Sequence, residues 1–128
     1  MTKPEYRDVK IAVASTSFEP SYSRACIAGI EITEGVFLKD ILSYAQIGRD
    51  GKLTSRKTSH FRLIHEESGV PYEDMLFYDD CNWGDHVGDL NRAYGVVGMR
   101  TPNGLNLQEF HQGLWLFRRE RSHDEEQV

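Results

Sequence analysis

The 128-residue sequence is poor in cysteine, in long apolar runs and in positive charge, and each shortage excludes a class of function. No apolar run reaches the roughly 18 residues of a membrane-spanning helix, and the polar start of the chain is no secretory signal. The net charge is −5, without a basic stripe, which argues against a nucleic-acid partner. Cys26 and Cys81 lie far apart and without CxxC spacing, so we expect reduced thiols in a cytoplasmic protein.

The composition predicts one globular domain. Hydrophobic residues make up 39% of the chain and charged residues 27%, and the length suits one domain better than two. We expect this domain to cover residues 1–117. The charged tail, residues 118–128, is expected to be disordered.

Short apolar runs alternate with segments of helical spacing. Strands are predicted at 9–14, 42–47, 75–78 and 95–99, and helices at 19–32, 58–68, 84–94 and 106–117. Asn106 and Glu109 form a capping-box-like start for the last helix. This alternation predicts an α/β fold with a Rossmann-like parallel sheet and helices on both faces. In such sheets the functional residues lie just past the carboxyl ends of the strands, where Ser15 and the pair Asp79 and Asp80 are found.

The acidic pair is the first candidate metal site. Magnesium prefers hard oxygen ligands, usually one or two carboxylates together with water and phosphate oxygens. Asp79 and Asp80 directly follow an apolar strand, which favours such a site. The alternative is a solvated loop in which one aspartate caps the next helix.

Ser15, Thr16 and Lys57 are the candidate phosphate-binding residues. Hydroxyls and free backbone N–H groups at a strand-to-helix turn suit phosphate oxygens, and a lysine can neutralise a phosphoryl group. The alternatives are an ordinary helix cap before Glu19 and a solvated surface lysine.

Cysteine and histidine give a weaker signal. Cys81 follows the acidic pair and could lie near a metal, but no basic neighbour marks it as an activated thiolate. The five histidines show no metal-ligand spacing such as HExxH. For His60 and His65, the better interpretation is a hydrogen-bonded core or surface histidine.

The order of these signals carries a family resemblance. A strand ending in serine, a loop lysine before a helix and a strand ending in Asp-Asp match motifs two, three and four of haloacid dehalogenase-type phosphatases. The chain is most similar to the small eukaryotic magnesium-dependent phosphatases, from about Val9 to Phe117. The matching segments are 57–61 (KTSHF), 68–71 (SGVP), 75–80 (MLFYDD), 103–108 (NGLNLQ) and 112–114 (QGL).

The resemblance implies roles for the candidate residues. Asp79 would bind Mg²⁺ directly, and Asp80 would support it or act through water. Ser15 would hydrogen-bond the phosphoryl group, with Thr16 beside it, and Lys57 would hold phosphate and nucleophile together. In this family an aspartate attacks phosphorus and forms an aspartyl-phosphate, and a second aspartate two residues later acts as acid and base. The implied substrates are phosphotyrosine-like groups or phosphorylated small molecules such as sugar phosphates.

The sequence departs from the family in two places. Thr16 stands where related sequences often have arginine. The leading strand with its Asp-x-Asp motif is absent, because no two aspartates are separated by one residue. The fourteen residues before Ser15 leave no room for a strand and its crossover, which alone needs about a dozen residues.

The absent strand predicts an incomplete fold. In the family's sheet it lies centrally, between the strands that end at Ser15 and at Asp80, so two apolar strand edges would lack a partner. We expect a truncated gene model or partial transcript, and little or no hydrolysis by this chain alone. The rival hypothesis is a non-catalytic phosphate-binding or interaction module that lost its nucleophile. A phosphorelay receiver fits less well, because receivers carry their lysine late, whereas Lys57 precedes Asp79.

Overall fold

The chain forms two compact units. The computed structural model describes residues 8–81 and 84–126. The first unit is Met1–Ser68 and the second is Gly69–Val128. One domain over residues 1–117, as expected from the sequence, remains a prediction. Each unit contains one parallel strand pair and helices that pack on it, which is the α/β, partial Rossmann-like architecture that the sequence predicted.

The first unit is built around the strand pair that carries Ser15. Its elements are β1 (Ile11–Ser15), α1 (Pro20–Gly29), β2 (Glu31–Thr33), β3 (Val36–Phe37), α2 (Leu38–Ile41), β4 (Leu42–Ile47) and α3 (Lys57–Ser68). Strands β1 and β4 are parallel, and Ser15 lies opposite Ile47 at their carboxyl ends. Pro20 occupies the first turn of α1, where its missing N–H costs no hydrogen bond. The antiparallel pair β2–β3 occupies residues that the sequence left as helix end and loop.

One face of α3 supplies most of the buried side chains of the first unit. Phe61 and Ile64 lie one turn apart and are buried, as is Ile47 at the end of β4. His60 is fully buried beside them. This helix was predicted over 58–68 from the same apolar spacing, and the structure confirms it with one additional residue, Lys57, at its start.

The second unit is built around the strand pair that carries Asp79. Its elements are a 3-10 helix (Tyr72–Asp74), β5 (Leu76–Asp79), α4 (His86–Tyr94), β6 (Val97–Arg100) and α5 (Leu107–Glu126). Strands β5 and β6 are parallel, and Asp79 pairs with Arg100. Leu90 and Val96 are fully buried and anchor α4 and β6 in the core.

The ends of the helices in the second unit follow the sequence closely. The Asp85 side chain caps α4 by accepting a hydrogen bond from the Gly88 N–H at 3.0 Å. Gly95 ends this helix in the left-handed conformation, at φ 77°. Asn106 caps α5 through its Oδ1, which accepts a hydrogen bond from the Glu109 N–H at 2.8 Å. The predicted capping residue at the start of α5 is therefore confirmed.

The structure differs from the prediction at the C-terminal end. Helix α5 continues to Glu126, through most of the segment 118–128 for which the sequence predicted disorder. Arginine and glutamate are good helix formers, and Arg121 forms an ion pair with Asp74 of the same unit. These features explain why the helix extends beyond Phe117. Residues 127–128 lie outside the described residues.

The strand pairing in each unit is limited. Among the described residues, β1 pairs with β4 alone and β5 pairs with β6 alone. Strands β1 and β5 therefore each have one edge without a strand partner in the part of the chain that the structure describes. No helix within these residues is both long enough and apolar enough to cross a membrane.

Candidate active site

Ser15 lies at the carboxyl end of β1, as predicted, and its surroundings are polar. Its carbonyl oxygen accepts a hydrogen bond from the Gly48 N–H at 2.9 Å, and its Oγ accepts one from the Ser17 N–H at 3.2 Å. The Glu19 N–H is bound by the Oγ of Ser17, at 3.0 Å. Hydroxyls of this turn thus bind backbone N–H groups ahead of α1, as the alternative interpretation of a helix cap expects, and the Ser15 hydroxyl lies in the same strand-to-helix turn.

Arg49 lies beside Thr16, the position at which related sequences often carry arginine. Its Nε donates a hydrogen bond to the Thr16 carbonyl oxygen at 2.7 Å, and its guanidinium group lies 3.8 Å from the centre of the Phe18 ring. Stacking and hydrogen bonding both restrict the guanidinium, so a positive charge is held at this turn. Arg49 could not be identified from local sequence patterns, because its partners are 33 and 31 positions away in the chain.

Lys57 is the first residue of α3 and is half-buried. The loop before it is ordered by Ser59, whose Oγ accepts a hydrogen bond from the Thr54 N–H at 2.9 Å and donates one to the Arg56 carbonyl oxygen at 2.7 Å. The lysine therefore extends from an ordered helix start. Its partial burial differs from the full solvent exposure that the alternative interpretation expected.

His60 connects this helix start to the strand end that carries Ser15. Its Nε2 lies 2.9 Å from the carbonyl oxygen of Gly48, and the Gly48 N–H is the group that binds the Ser15 carbonyl. Because a carbonyl oxygen only accepts, the Nε2 must carry the proton and donate. The prediction of a hydrogen-bonded core histidine is confirmed for His60, which has a positioning role within the first unit.

Asp79 and Asp80 differ sharply in their exposure. Asp79 is the last residue of β5 and has only 6% of its surface exposed, whereas Asp80 is exposed. The Asp79 carbonyl oxygen accepts a hydrogen bond from the Thr101 N–H at 2.8 Å, which fixes the strand end. Because Asp85 caps the next helix, neither residue of the pair has the capping role that the alternative interpretation gave it.

Two further donors lie close to Asp79. The ligand atoms of Asp79, Cys81 and His86 all lie within 4.8 Å of one another. Asp79 and His86 are buried, and Cys81 is half-buried. A place near a metal was expected for Cys81. A metal-ligand role was not expected for the histidines, because they show no recognised ligand spacing. The signal was the spacing Asp-x-Cys-x₄-His across a strand end and a helix start.

Each unit thus carries one part of the predicted set. The first contains Ser15, Thr16 and Lys57, joined through Gly48 and His60, and the second contains Asp79 and Asp80. Oxygen donors at Asp79 and Asp80 suit Mg²⁺, and the hydroxyl and cationic groups of the first unit suit a phosphate. The described residues supply groups for binding, and no aspartate pair of the Asp-x-Asp type is among the 128 residues.

Comparison with known proteins agrees with this chemistry. The family model for acid phosphatase matches residues 1–120. Magnesium-dependent phosphatase 1 of Homo sapiens is 34% identical over 61 residues, which are 48% of this chain and 33% of the human protein. A HAD-like hydrolase superfamily protein of Schizosaccharomyces pombe is 26% identical over 102 residues, which are 80% of this chain and 57% of that protein. The chain therefore spans about a third of the length of the human relative and somewhat over half of the length of the S. pombe relative.

Proposed function

The chain belongs to the acid phosphatase family of haloacid dehalogenase-type hydrolases, and on that premise we propose that it forms part of a magnesium-dependent phosphomonoesterase. Asp79 would hold the Mg²⁺ ion, and Asp80 would have a supporting role. Ser15 and the Thr16 turn hydrogen-bond the phosphoryl oxygens, and Lys57 neutralises their charge. The observation that carries the proposal is the position of Asp79, buried at the carboxyl end of a parallel strand, because functional residues of such sheets lie at these ends.

The residues of the first unit bind and orient in this proposal. The Ser15 hydroxyl provides a hydrogen-bond donor to a phosphoryl group, because in its contact with the Ser17 N–H the Oγ acts as the acceptor. Arg49 takes the place of the arginine that related sequences often carry at position 16, because its guanidinium is held at the Thr16 carbonyl. The ion at Asp79 would supply charge neutralisation and polarise the phosphoryl oxygens.

The substrate class follows from the relatives and from charge. The human relative is named a magnesium-dependent phosphatase, which favours phosphate esters as substrates. We propose a phosphorylated small molecule or a phosphotyrosine-like group, acted on in the cytoplasm. A nucleic-acid backbone is a poor substrate for a chain of net charge −5.

The 128 residues alone are proposed to hydrolyse phosphate esters very slowly, because they contain no Asp-x-Asp nucleophile. The test is a chimera in which a family leading strand ending in Asp-x-Asp is joined ahead of residue 8. We expect magnesium-dependent hydrolysis of p-nitrophenyl phosphate by the chimera, lost in its Asp79→Ala and Lys57→Ala forms and retained in Lys52→Ala.

Two results would contradict this account. Hydrolysis by the chimera that survives both Asp79→Ala and Lys57→Ala would show that the assigned residues are not the site. Magnesium-dependent turnover by the unmodified 128-residue chain, abolished by Asp79→Ala, would refute the proposed inactivity.

The second candidate is a non-catalytic phosphate-binding module that descends from the same family of phosphatases. The absence of an Asp-x-Asp pair from the 128 residues favours this candidate. It predicts a monomeric chain that unfolds cooperatively and binds phosphate without turnover. Sedimentation velocity and thermal unfolding separate the two candidates. Aggregation through the strand edges of β1 and β5 counts against a stable module, and a monomer with a sharp transition supports one.

A further inference from the structure

We propose that Asp79, Cys81 and His86 form a zinc-binding site. Their ligand atoms all lie within 4.8 Å of one another, and the three residues come from a strand end, the following loop and the first residue of α4. The set offers one carboxylate oxygen, one thiol sulfur and one imidazole nitrogen. Zinc binds each of these donors, and three protein ligands with an open fourth position is a common zinc arrangement.

The donor types select the ion. Magnesium requires oxygen ligands in near-octahedral geometry, and sulfur or imidazole donors contribute little to it. Thiolate and imidazole favour softer divalent ions, and zinc binds such sites far more tightly than magnesium does. The proposed zinc site therefore differs in chemistry from the proposed magnesium site, although both use the carboxylate of Asp79.

The geometry is close to that of a bound ion. Zinc holds nitrogen and oxygen at about 2.0–2.1 Å and sulfur at about 2.3 Å, which places tetrahedral donors about 3.5 Å apart. A shift of about 1 Å per donor is enough to bring the three side chains to such distances. A Cβ at Gly84 would lie 4.0 Å from both the Cys81 Sγ and the His86 Nε2, so these two atoms border the same small volume.

Neighbouring residues restrain the loop and the helix start that carry the donors. The carboxylate of Asp85 is engaged in capping α4 and lies 3.8 Å from Arg92, which leaves His86 as the donor at the start of the helix. Arg100 donates a hydrogen bond to the Cys81 carbonyl oxygen at 3.3 Å and so restrains the loop that carries the thiol. Asp79 is fixed at the end of β5 through its own carbonyl.

The shared carboxylate has a consequence for magnesium, and this part rests on the proposed function. Zinc at Asp79, Cys81 and His86 would occupy the oxygen that the phosphatase reaction needs for Mg²⁺. Zinc and Mg²⁺ would therefore compete for Asp79. Removing the thiol should weaken this competition while leaving the magnesium ligand in place.

The direct test uses Co²⁺ as a spectroscopic substitute for zinc, with the 128-residue chain under reducing conditions. We expect Co²⁺ to produce a thiolate-to-metal charge-transfer band that zinc abolishes. Cys81→Ser should remove the band and weaken zinc binding at least about tenfold in a competition with a chromophoric chelator. Cys26→Ser, which alters the exposed cysteine of α1, should leave both unchanged.

The outcomes are distinct. Absence of the band in the unaltered chain, or its survival in Cys81→Ser, would overturn the proposal. His86→Gln is also expected to bind zinc more weakly. Because His86 is buried, this result supports the zinc site when the far-UV circular dichroism of the variant matches that of the unaltered chain. The half-buried Cys81 gives the principal test in any case.

Mn²⁺, followed by electron paramagnetic resonance as a substitute for Mg²⁺, separates this proposal from the proposed function. Loss of Mn²⁺ binding in Asp79→Asn and its retention in Cys81→Ser would support the magnesium site. Displacement of Mn²⁺ by zinc from the unaltered chain, but not from Cys81→Ser, would support competition of the two ions for Asp79. Zinc binding through Cys81 without any Mn²⁺ binding would overturn the magnesium assignment and leave the zinc site standing.

Discussion

The imidazole Nε2 of His60 lies 2.9 Å from the carbonyl oxygen of Gly48, and the N–H of the same Gly48 binds the carbonyl of Ser15. A fully buried side chain thereby ties the first turn of α3, where Lys57 begins the helix, to the end of β1. Two candidate phosphate-binding residues from distant parts of the sequence are thus anchored to one glycine.

Replacing His60 should destabilise the first unit. His60→Ala removes a buried donor from the Gly48 carbonyl and leaves a cavity, so we expect a loss of at least about 2 kcal/mol in the free energy of unfolding. Urea denaturation followed by circular dichroism measures it. The exposed His111→Ala is the control and should change stability by less than about 0.5 kcal/mol. Equal effects of the two variants would refute the anchoring role.

Gly48 should not tolerate a side chain. Its φ is +116°, and a Cβ would lie 3.0 Å from the Cγ of Pro20 at the start of α1. Gly48→Ala is therefore expected to cost about 1–3 kcal/mol of stability. Gly29→Ala is the matched control, because nothing lies within 4 Å of its Cβ position and alanine favours a helix. Thermal unfolding of both variants measures the difference in stability. A Gly48→Ala variant as stable as the unaltered chain would contradict the expected strain at this position.

Gly113 should be required for a similar reason in the second unit. A Cβ there would lie 2.6 Å from the Cζ of Tyr78, whose hydroxyl donates a hydrogen bond to the Phe110 carbonyl oxygen at 2.5 Å. Gly113→Ala would displace the ring next to Asp79 and break that bond, at about 1–3 kcal/mol. We expect lower stability by urea denaturation, partly restored when Tyr78→Phe is added. No change in stability would show that α5 adjusts freely against β5.

Arg49 should contribute to phosphate affinity. Arg49→Gln removes the guanidinium that is held at the Thr16 carbonyl and on the Phe18 ring. Because the group is only half-buried, we expect phosphate binding to weaken about threefold to tenfold. Arg62→Gln, on the exposed face of α3, is the control and should have no effect. Equal affinities of the two variants would remove Arg49 from the site.

The sequence predicted the elements that local chemistry determines. The apolar runs that end at Ser15 and Asp79 are strands, and the apolar spacing after Lys57 is a helix. These elements depend on short-range patterns, which remain visible in a single sequence. The α/β class followed from the alternation of strands and helices alone.

The relationships that the sequence did not predict depend on contacts between distant residues. Arg49 reaches Thr16 across 33 positions, and His60 reaches Gly48 across 12. The cluster of Asp79, Cys81 and His86 follows no standard ligand spacing, although its ligand atoms lie within 4.8 Å of one another. The continuation of α5 past Phe117 depends on the helix propensity of its residues and on the ion pair between Arg121 and Asp74. The high charge of this segment, from which disorder was predicted, indicated neither.

The measurement that tests the central claim most directly is calorimetric titration of inorganic phosphate into the 128-residue chain, with and without Mg²⁺. The account predicts saturable binding that weakens at least about tenfold in Lys57→Ala and on removal of Mg²⁺, because the proposed function assigns both positive charges to phosphate binding. Lys52→Ala, at an exposed turn, should bind as the unaltered chain does. Phosphate affinity that is the same in all three proteins and independent of Mg²⁺ would contradict the assignment of a magnesium-dependent phosphate site.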